Sequence, residues 1–176
     1  IIDWHHPDFP HYGDRNHPER DNEAFKGAKH NFDNYLEYMH GQVRELCENY
    51  GKIDILWLDF SYSQRHGEGD KAWLGGKGKD DWESEELIKL ARSIQPEIII
   101  DNRAELEQDL WTPEQFQPTD WFRHPKTGEL VTWEACQTLS GSWGYYRDEF
   151  TWKSPEMLIR MLINTVSNGG NLIMNV

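Results

Sequence analysis

Charged side chains follow apolar stretches of this sequence, at the points where the predicted strands end. Asp59 follows the segment KIDILWL, Arg103 ends the tripeptide Asp-Asn-Arg that follows EIII, and Asp3 follows an Ile-Ile pair. A carboxylate can act as a nucleophile, and a nearby guanidinium holds it ionised. A lone aspartate at such a place is more often a helix cap or a salt-bridged loop residue. Three polar strand ends together favour an active site, because the carboxyl ends of parallel strands lie at one edge of a sheet.

Acid and base chemistry by a pair of carboxylates needs a second acidic residue. Section 104–150 is rich in Trp, Tyr, Gly and Pro, and we expect it to form long loops after the strand that precedes Arg103. The acids available in this section are Glu105, Glu107, Glu114 and Glu134. The sequence pattern does not choose among them, and Glu134 has a structural alternative as the partner of a neighbouring arginine.

Side chains that a transition metal accepts as ligands are concentrated near the start of the sequence, namely His5, His6, Asp8, His11, Asp14 and His17. This span lacks both a His-x-x-x-His pattern on a helix and a Cys-x-x-Cys pair, and its three prolines favour an extended loop. We therefore expect a loop at the rim of the site and no bound metal.

Alternating helical and strand patterns predict an α/β fold in which parallel strands are joined by right-handed crossovers. Helices are predicted over 32–50, 81–95 and from Pro155 to about Val166, and strands near 1–3, 53–59, 97–101 and 171–176. A glycine-rich loop, residues 61–80, follows the second strand, and we expect Trp73 in its second half and Trp82 just after it to be packing residues. The pattern contains no internal repeat and no separate linker, which indicates one domain.

The composition excludes several classes of partner. The 176 residues carry a formal net charge of −13, which argues against a nucleic acid or an anionic membrane surface as the partner and favours neutral or polar ligands. Nine Trp, seven Tyr and seven Phe are a high aromatic content, and aromatic faces suit the C–H surfaces of sugar rings. Two cysteines, Cys47 and Cys136, are too few for a disulfide scaffold.

Five blocks, in order and approximate spacing, resemble the α-L-fucosidases of glycoside hydrolase family 29: WLDFSY, DNR, TPEQFQP, WEACQTLSGSWGYYRD and VSNGGNLIMNV. The resemblance implies a (β/α)₈-type barrel of which this chain is the C-terminal half. Residues 1–176 would be part of one catalytic barrel domain, without its N-terminal strands and without the β-sandwich that follows the barrel in the family. The apolar character of both chain ends favours the same expectation, that the chain is part of a larger domain.

The resemblance also implies a reaction, the retaining hydrolysis of terminal α-L-fucose from glycans by double displacement, with no cofactor. Asp59 matches the nucleophile of the family's W-x-D sequence, and Glu114 matches the acid/base residue, whose position moves between subgroups of the family. Trp57, Phe60, Arg103 and Trp143 match positions expected to bind the sugar. The expected partner is a fucosylated oligosaccharide or glycoconjugate, in a secreted, periplasmic or lysosome-like compartment rather than the cytoplasm.

Two other functions are compatible with the sequence. A non-catalytic carbohydrate-binding module would use the same aromatic and acidic residues to hold a sugar without cleaving it. A barrel glycosidase for another sugar, such as galactose, would keep the same acid pair. The pair Asp59 and Glu114 distinguishes an enzyme from a binding module, because only catalysis needs a protonated acid opposite an ionised one.

Overall fold

The structure is a computed structural model that describes residues 1–9, 17–63 and 76–176. Of the residues singled out in the sequence, His11, Asp14 and Trp73 lie outside this range. The helices are α1 (Phe32–Asn49), α2 (Ser84–Ile94) and α3 (Pro155–Ser167), and a short 3₁₀ turn covers Glu23–Phe25. The strands are β1 (Ile55–Leu56), β2 (Ile99–Ile100), β3 (Glu134–Thr138) and β4 (Asn171–Asn175). The chain divides into two compact units, Ile1–Glu107 and Gln108–Val176, and each is described by itself.

In the first unit, α1 and α2 pack against each other through apolar residues at helical spacing. The buried face of α1 consists of Tyr35, Leu36, Met39, Val43 and Cys47, and that of α2 includes Leu87, Ile88 and Ala91. Residues three and four apart share one face of a helix, so each helix buries one stripe and leaves its charged residues exposed. Trp82, which is 1 % exposed, packs into the same core, as its predicted packing role requires.

Strands β1 and β2 pair in parallel, with Ile55 opposite Ile99 and Leu56 opposite Ile100. Both strands are shorter than the predicted spans 53–59 and 97–101. The ladder ends early because the backbone N–H of Leu58 donates to the Asp101 side chain rather than to a strand carbonyl. The side chains of Leu56 and Ile100 point into the core, which fixes the register of the pair.

The predicted strand at residues 1–3 is wrong. The described residues 1–9 contain turns, and no ladder joins Ile1 to Asp3 with another strand. Single hydrogen bonds hold the segment instead: Ile1 N donates to the Asp59 carbonyl at 3.0 Å, and the Tyr35 hydroxyl donates to the Ile1 carbonyl at 2.9 Å. The segment therefore lies at the carboxyl end of β1.

In the second unit, β3 and β4 pair in parallel from Glu134 opposite Asn171 to Thr138 opposite Asn175. The sequence predicted loops throughout 104–150, so β3 is a correction. Its sequence EACQT has no apolar run, and the strand depends on tertiary pairing on both sides. On the side away from β4, Glu134 N donates to the Trp111 carbonyl at 2.8 Å and Cys136 N donates to the Pro113 carbonyl at 3.2 Å.

Helix α3 begins as the sequence predicts, with Ser154 as N-cap accepting from Met157 N and with Pro155 in the first turn. It ends at Ser167, and the chain turns at Gly169, where φ is +74°, before β4 begins. The Trp133 ring packs directly on the Gly170 backbone, and its indole N–H donates to the Asn168 carbonyl at 3.3 Å. Within the described part of the chain, no helix has both the length and the apolar character that crossing a membrane requires.

We predict that Gly170→Ala destabilises the second unit. An added Cβ would lie 2.7 Å from Cη2 of the buried Trp133 ring and closer still to two other ring atoms, so the indole has to move. Overpacking of this kind costs about 1–3 kcal/mol. Urea-induced unfolding followed by tryptophan fluorescence should show a lower midpoint for the variant.

The matched control for this substitution is Gly41→Ala, which lies within α1 and whose added Cβ meets nothing within 4 Å. Alanine is the better helix former by about 1 kcal/mol, so this variant should unfold at a higher urea concentration. Equal shifts of the two variants in the same direction would contradict the packing argument.

Candidate functional site

The Asp59 and Arg103 side chains form an ion pair just beyond the carboxyl ends of β1 and β2. Nη1 of Arg103 donates to Oδ1 of Asp59 at 2.9 Å. The Arg103 side chain is 13 % exposed and the Asp59 side chain is 48 % exposed. The guanidinium is therefore held within the protein, while the carboxylate stays accessible to a ligand. The parallel pairing of the two strands brings these residues together across 44 positions of sequence.

The Trp57 ring fixes the other side of the Arg103 guanidinium. Arg103 Cζ lies 4.7 Å from the centroid of the indole, within the range of a cation–π contact. A guanidinium held by a ring on one side and a carboxylate on the other has little freedom to rotate. Trp57, Asp59 and Arg103 thus form one connected group.

Phe60, four residues after the end of β1, has a left-handed backbone conformation with φ of +82°. This region is uncommon for a residue with a bulky side chain, and such strain is concentrated at functional sites. Edge-to-face contacts hold the ring, at 5.8 Å to Trp4 and 5.4 Å to Tyr62. At the end of the first predicted strand, Trp4 contacts Phe60, whereas Asp3 is engaged elsewhere. The Asp3 carboxylate accepts from His5 N and from the Tyr38 hydroxyl.

Asp101 was noted in the sequence as a strand-end residue but not assigned to the site. Its side chain is fully buried, and Oδ1 accepts from Leu58 N at 3.1 Å and from Arg103 N at 3.3 Å. Burial raises the pKa of Asp101 to about 6, although the two backbone N–H groups and the charge of Arg103 act in the opposite direction. The position directly after β2 was the only signal for this residue in the sequence.

Glu105, the first candidate for the second carboxylate, is engaged in a structural role. Its Oε1 accepts from Ser63 N at 2.7 Å and its Oε2 accepts from Lys79 N at 3.4 Å. Beside these contacts, Tyr62 N donates to the Lys77 carbonyl at 2.8 Å. Glu105 therefore ties together the two described ends of the predicted glycine-rich loop.

Glu114, in the second unit, lies on an extended segment that pairs in parallel with β3. It stands opposite Cys136, and the next residue, Gln115, donates its N–H to the Cys136 carbonyl at 2.9 Å. The Glu114 side chain is exposed, and the backbone turns directly after it, because Gln115 has φ of +50°. Glu134 lies at the amino end of β3, so Glu114 is the closer of the two to the carboxyl edge of this sheet. The predicted pairing of Glu134 with an arginine stays a prediction.

Trp143 lies in the loop that follows β3 and is 43 % exposed. Its carbonyl accepts from the side-chain amide of Asn175 at the end of β4, which places this backbone beside the carboxyl ends of β3 and β4. Aromatic side chains of the same loop are exposed as well: Tyr145, Tyr146, Phe150 and Trp152.

The Glu149 carboxylate holds the Trp143 loop in shape. Its Oε1 accepts from Thr151 N at 2.7 Å, Thr151 Oγ1 at 2.6 Å and Phe150 N at 2.9 Å, and its Oε2 accepts from Ser142 Oγ at 2.8 Å. These hydrogen bonds, with those to Thr151 contributing most, lower the pKa of Glu149 to about 2. Glu149 is therefore ionised at any physiological pH, and its role is structural.

Two histidines near the start of the chain, His6 and His17, stabilise turns by accepting hydrogen bonds from backbone N–H groups. His17 is buried, and because its Nδ1 accepts from Glu19 N at 2.9 Å, its Nε2 carries the proton and donates to the Trp4 carbonyl at 3.3 Å. The His6 ring lies tilted beside the Tyr38 ring, with 4.7 Å between their centroids, and His6 Nδ1 accepts from Asp8 N at 3.2 Å. Across residues 1–9, 17–63 and 76–176, no group of three His, Cys, Asp or Glu side chains is placed to hold a metal ion.

Comparison with solved structures reveals similar folds. α-L-Fucosidase isoenzyme 1 from Paenibacillus thiaminolyticus is 42 % identical with a TM-score of 0.84, over 99 % of this chain and 41 % of that chain. α-L-Fucosidase AlfC from Lactobacillus casei, in complex with its α-L-fucose product, is 21 % identical with a TM-score of 0.69, over 99 % of this chain and 50 % of that chain. At 21 % identity, the second likeness concerns the fold alone. The chain spans half or less of the length of these two relatives.

The α-L-fucosidase family model matches residues 1–176, the whole of the sequence. A search of curated proteins finds no match. The fold is α/β with parallel strands, as in the fucosidase structures. Because the family model and the 42 % identical structure both cover essentially all of it, this chain belongs to the α-L-fucosidase family, glycoside hydrolase family 29.

Proposed function

We propose that this chain carries part of the active site of a retaining α-L-fucosidase, which releases terminal α-L-fucose from glycans by double displacement. The observation that carries this proposal is the Asp59 carboxylate, half-exposed and held at 2.9 Å by a mostly buried Arg103. An ionised, accessible and oriented carboxylate is what the first displacement requires. The choice of fucose as the sugar rests on membership of the α-L-fucosidase family.

Asp59 is the nucleophile in this mechanism. Its carboxylate attacks the anomeric carbon of fucose as the bond to the leaving-group oxygen breaks, and a glycosyl-enzyme ester forms. Arg103 orients the attacking carboxylate through a charge-assisted hydrogen bond at 2.9 Å. Water then attacks the same carbon, which returns the free carboxylate and retains the anomeric configuration.

Glu114 is the acid/base residue of the proposal. It protonates the leaving-group oxygen in the first step and removes a proton from water in the second, and retaining enzymes need the two carboxyl groups about 5–5.5 Å apart. Its exposed side chain beside β3 supports this role. Of the alternatives in section 104–150, Glu105 is occupied by the backbone of Ser63 and Lys79.

Trp57, Phe60, Arg103 and Trp143 form the proposed sugar-binding group. Aromatic faces pack against the C–H surfaces and the methyl group of fucose, while the guanidinium contacts hydroxyl groups. A mutant of the L. casei relative has been solved with Fucα(1,6)GlcNAc, and a fucosylated oligosaccharide or glycoconjugate is the proposed substrate here.

The proposed setting is the C-terminal half of a (β/α)₈-type barrel, with residues 1–176 as part of one catalytic domain. Support comes from the parallel pairing within each of the two described sheets, β1 with β2 and β3 with β4, and from the fraction of the relatives that the chain covers.

Two alternative functions make different predictions. A non-catalytic carbohydrate-binding module would bind fucosides without turning them over, and a glycosidase for another sugar would prefer galactosides. Assays of the complete protein on both aryl glycosides separate these alternatives.

Asp59→Asn should abolish turnover in the complete protein. The amide is a far poorer nucleophile than a carboxylate, so kcat on 4-nitrophenyl α-L-fucopyranoside should fall by several orders of magnitude while the fold is kept. Added azide should restore turnover by attacking the anomeric carbon in place of the carboxylate. The matched control is Asp54→Asn, at the exposed amino end of the same strand, which should retain wild-type activity. Near-normal turnover of Asp59→Asn would remove Asp59 from the nucleophile role.

Glu114→Ala should slow the hydrolysis of natural fucosides far more than that of aryl fucosides. A poor leaving group needs the acid's proton, an effect of about 10²–10⁴-fold, whereas 4-nitrophenolate leaves without it. The basic limb of the pH profile should also flatten, because that limb reports the loss of the acid's proton. Rates on both substrate types are compared for Glu105→Ala, Glu107→Ala, Glu114→Ala and Glu134→Ala. If another of these variants shows the leaving-group dependence and Glu114→Ala does not, the assignment is wrong.

A further inference from the structure

The buried carboxyl of Asp101 has no part in the mechanism described so far, yet it accepts hydrogen bonds from the backbone of Arg103 and of Leu58, the residue before Asp59. It is fully buried, directly after β2. One oxygen, Oδ1, accepts two backbone N–H groups, from Leu58 at 3.1 Å and from Arg103 at 3.3 Å. Leu58 is the residue immediately before Asp59. The same oxygen therefore joins the backbone that carries the proposed nucleophile to the backbone that carries its guanidinium.

These two hydrogen bonds replace the strand ladder at the point where the ladder stops. The backbone pairing of β1 with β2 ends with Asp101 N donating to the Leu56 carbonyl at 3.3 Å. Beyond that bond, the side chain of Asp101 takes over and accepts from Leu58 N. Without this acceptor, a buried N–H would lose its partner, and the chain from Leu58 to Phe60 would lose its hydrogen bond to the end of β2.

We propose that Asp101 is a positioning residue for the reaction: by accepting from Leu58 N and Arg103 N, it fixes the spacing and orientation at which the Asp59 carboxylate meets the Arg103 guanidinium. This inference rests on the proposed function of Asp59 as nucleophile. Asp101 does not touch the substrate, and it acts through the backbone and through its charge.

The charge of Asp101 distinguishes it from a neutral hydrogen-bond acceptor. Its second oxygen, Oδ2, is buried and has no hydrogen-bond partner within the described residues, so Oδ2 is the atom that takes a proton while Oδ1 keeps its two donors. The charged groups around it are Arg103 and Asp59. Because burial raises the pKa of Asp101 to about 6, the carboxyl is ionised above that pH and neutral below it. The ionised form places a second negative charge near Asp59.

The test compares Asp101→Asn and Asp101→Ala in the complete protein, with kcat and KM on 4-nitrophenyl α-L-fucopyranoside measured from about pH 4.5 to 8. Asparagine keeps the Oδ1 acceptor but has no titrating charge. It should retain kcat at pH 7 to within about tenfold, and it should lack the inflection near pH 6 that is expected for the wild type. Alanine removes both hydrogen bonds and should lower kcat by about 100-fold, the effect of a 1 Å misplacement.

The control is again Asp54→Asn, which should keep both wild-type activity and the inflection. An Asp101→Ala variant with wild-type kcat would overturn the positioning role, and so would an Asp101→Asn variant as slow as alanine. Should the alanine variant fail to fold, the kcat of Asp101→Asn decides alone, because asparagine keeps the Oδ1 acceptor. Asp59→Asn in the same series separates the two proposals: if it is inactive and rescued by azide, the proposed function stands whatever Asp101 does.

Discussion

The parallel pairing of β1 with β2 is the constraint on which the described site depends. Leu56 and Ile100 are both buried, so a slip of one residue in either strand would turn an apolar side chain out of the core. That register sets which residues leave the two strands side by side. Asp59 follows Leu56 by three positions and Arg103 follows Ile100 by three, and their side chains meet at 2.9 Å. Core packing therefore determines the position of the proposed chemistry.

The ion pair itself contributes little to folding. Pairs with one partner about half exposed fall in the class that adds roughly 0–1 kcal/mol, because water screens the attraction. The strained backbone at Phe60 costs free energy, and so does the fully buried Asp101, one oxygen of which has no partner among the described residues. A segment optimised only for stability would contain neither feature. Both features lie within three residues of Asp59 or Arg103, so the geometry of the proposed site is held at a cost in free energy.

Strong local patterns predicted the helices and the last strand, whereas tertiary pairing decided the parts that the sequence missed. The apolar stripes of α1 and α2 repeat every three or four residues, and α3 has its N-cap and proline. Strand β3 has no such pattern in its sequence. It forms because the segment ending at Glu114 pairs with it on one side and β4 pairs with it on the other. Asp101 and Arg103 looked alike in sequence, as polar residues after a strand. Only the structure separates the fully buried acceptor, Asp101, from the ion pair whose carboxylate, Asp59, is half-exposed.

The exposed apolar surface supports the proposal that these units belong to a larger barrel domain. On the sheet of the first unit, Ile55 and Ile99 lie opposite each other and are 45 % and 40 % exposed. On α3, exposed apolar residues recur at helical spacing: Ile159, Leu162, Ile163 and Val166. Leaving such side chains in water forgoes about 25 cal/mol for each Å² that could be buried. In a barrel, each strand is flanked by two others and covered by helices, so a sheet face and a helix stripe of this kind are the surfaces that neighbouring elements bury.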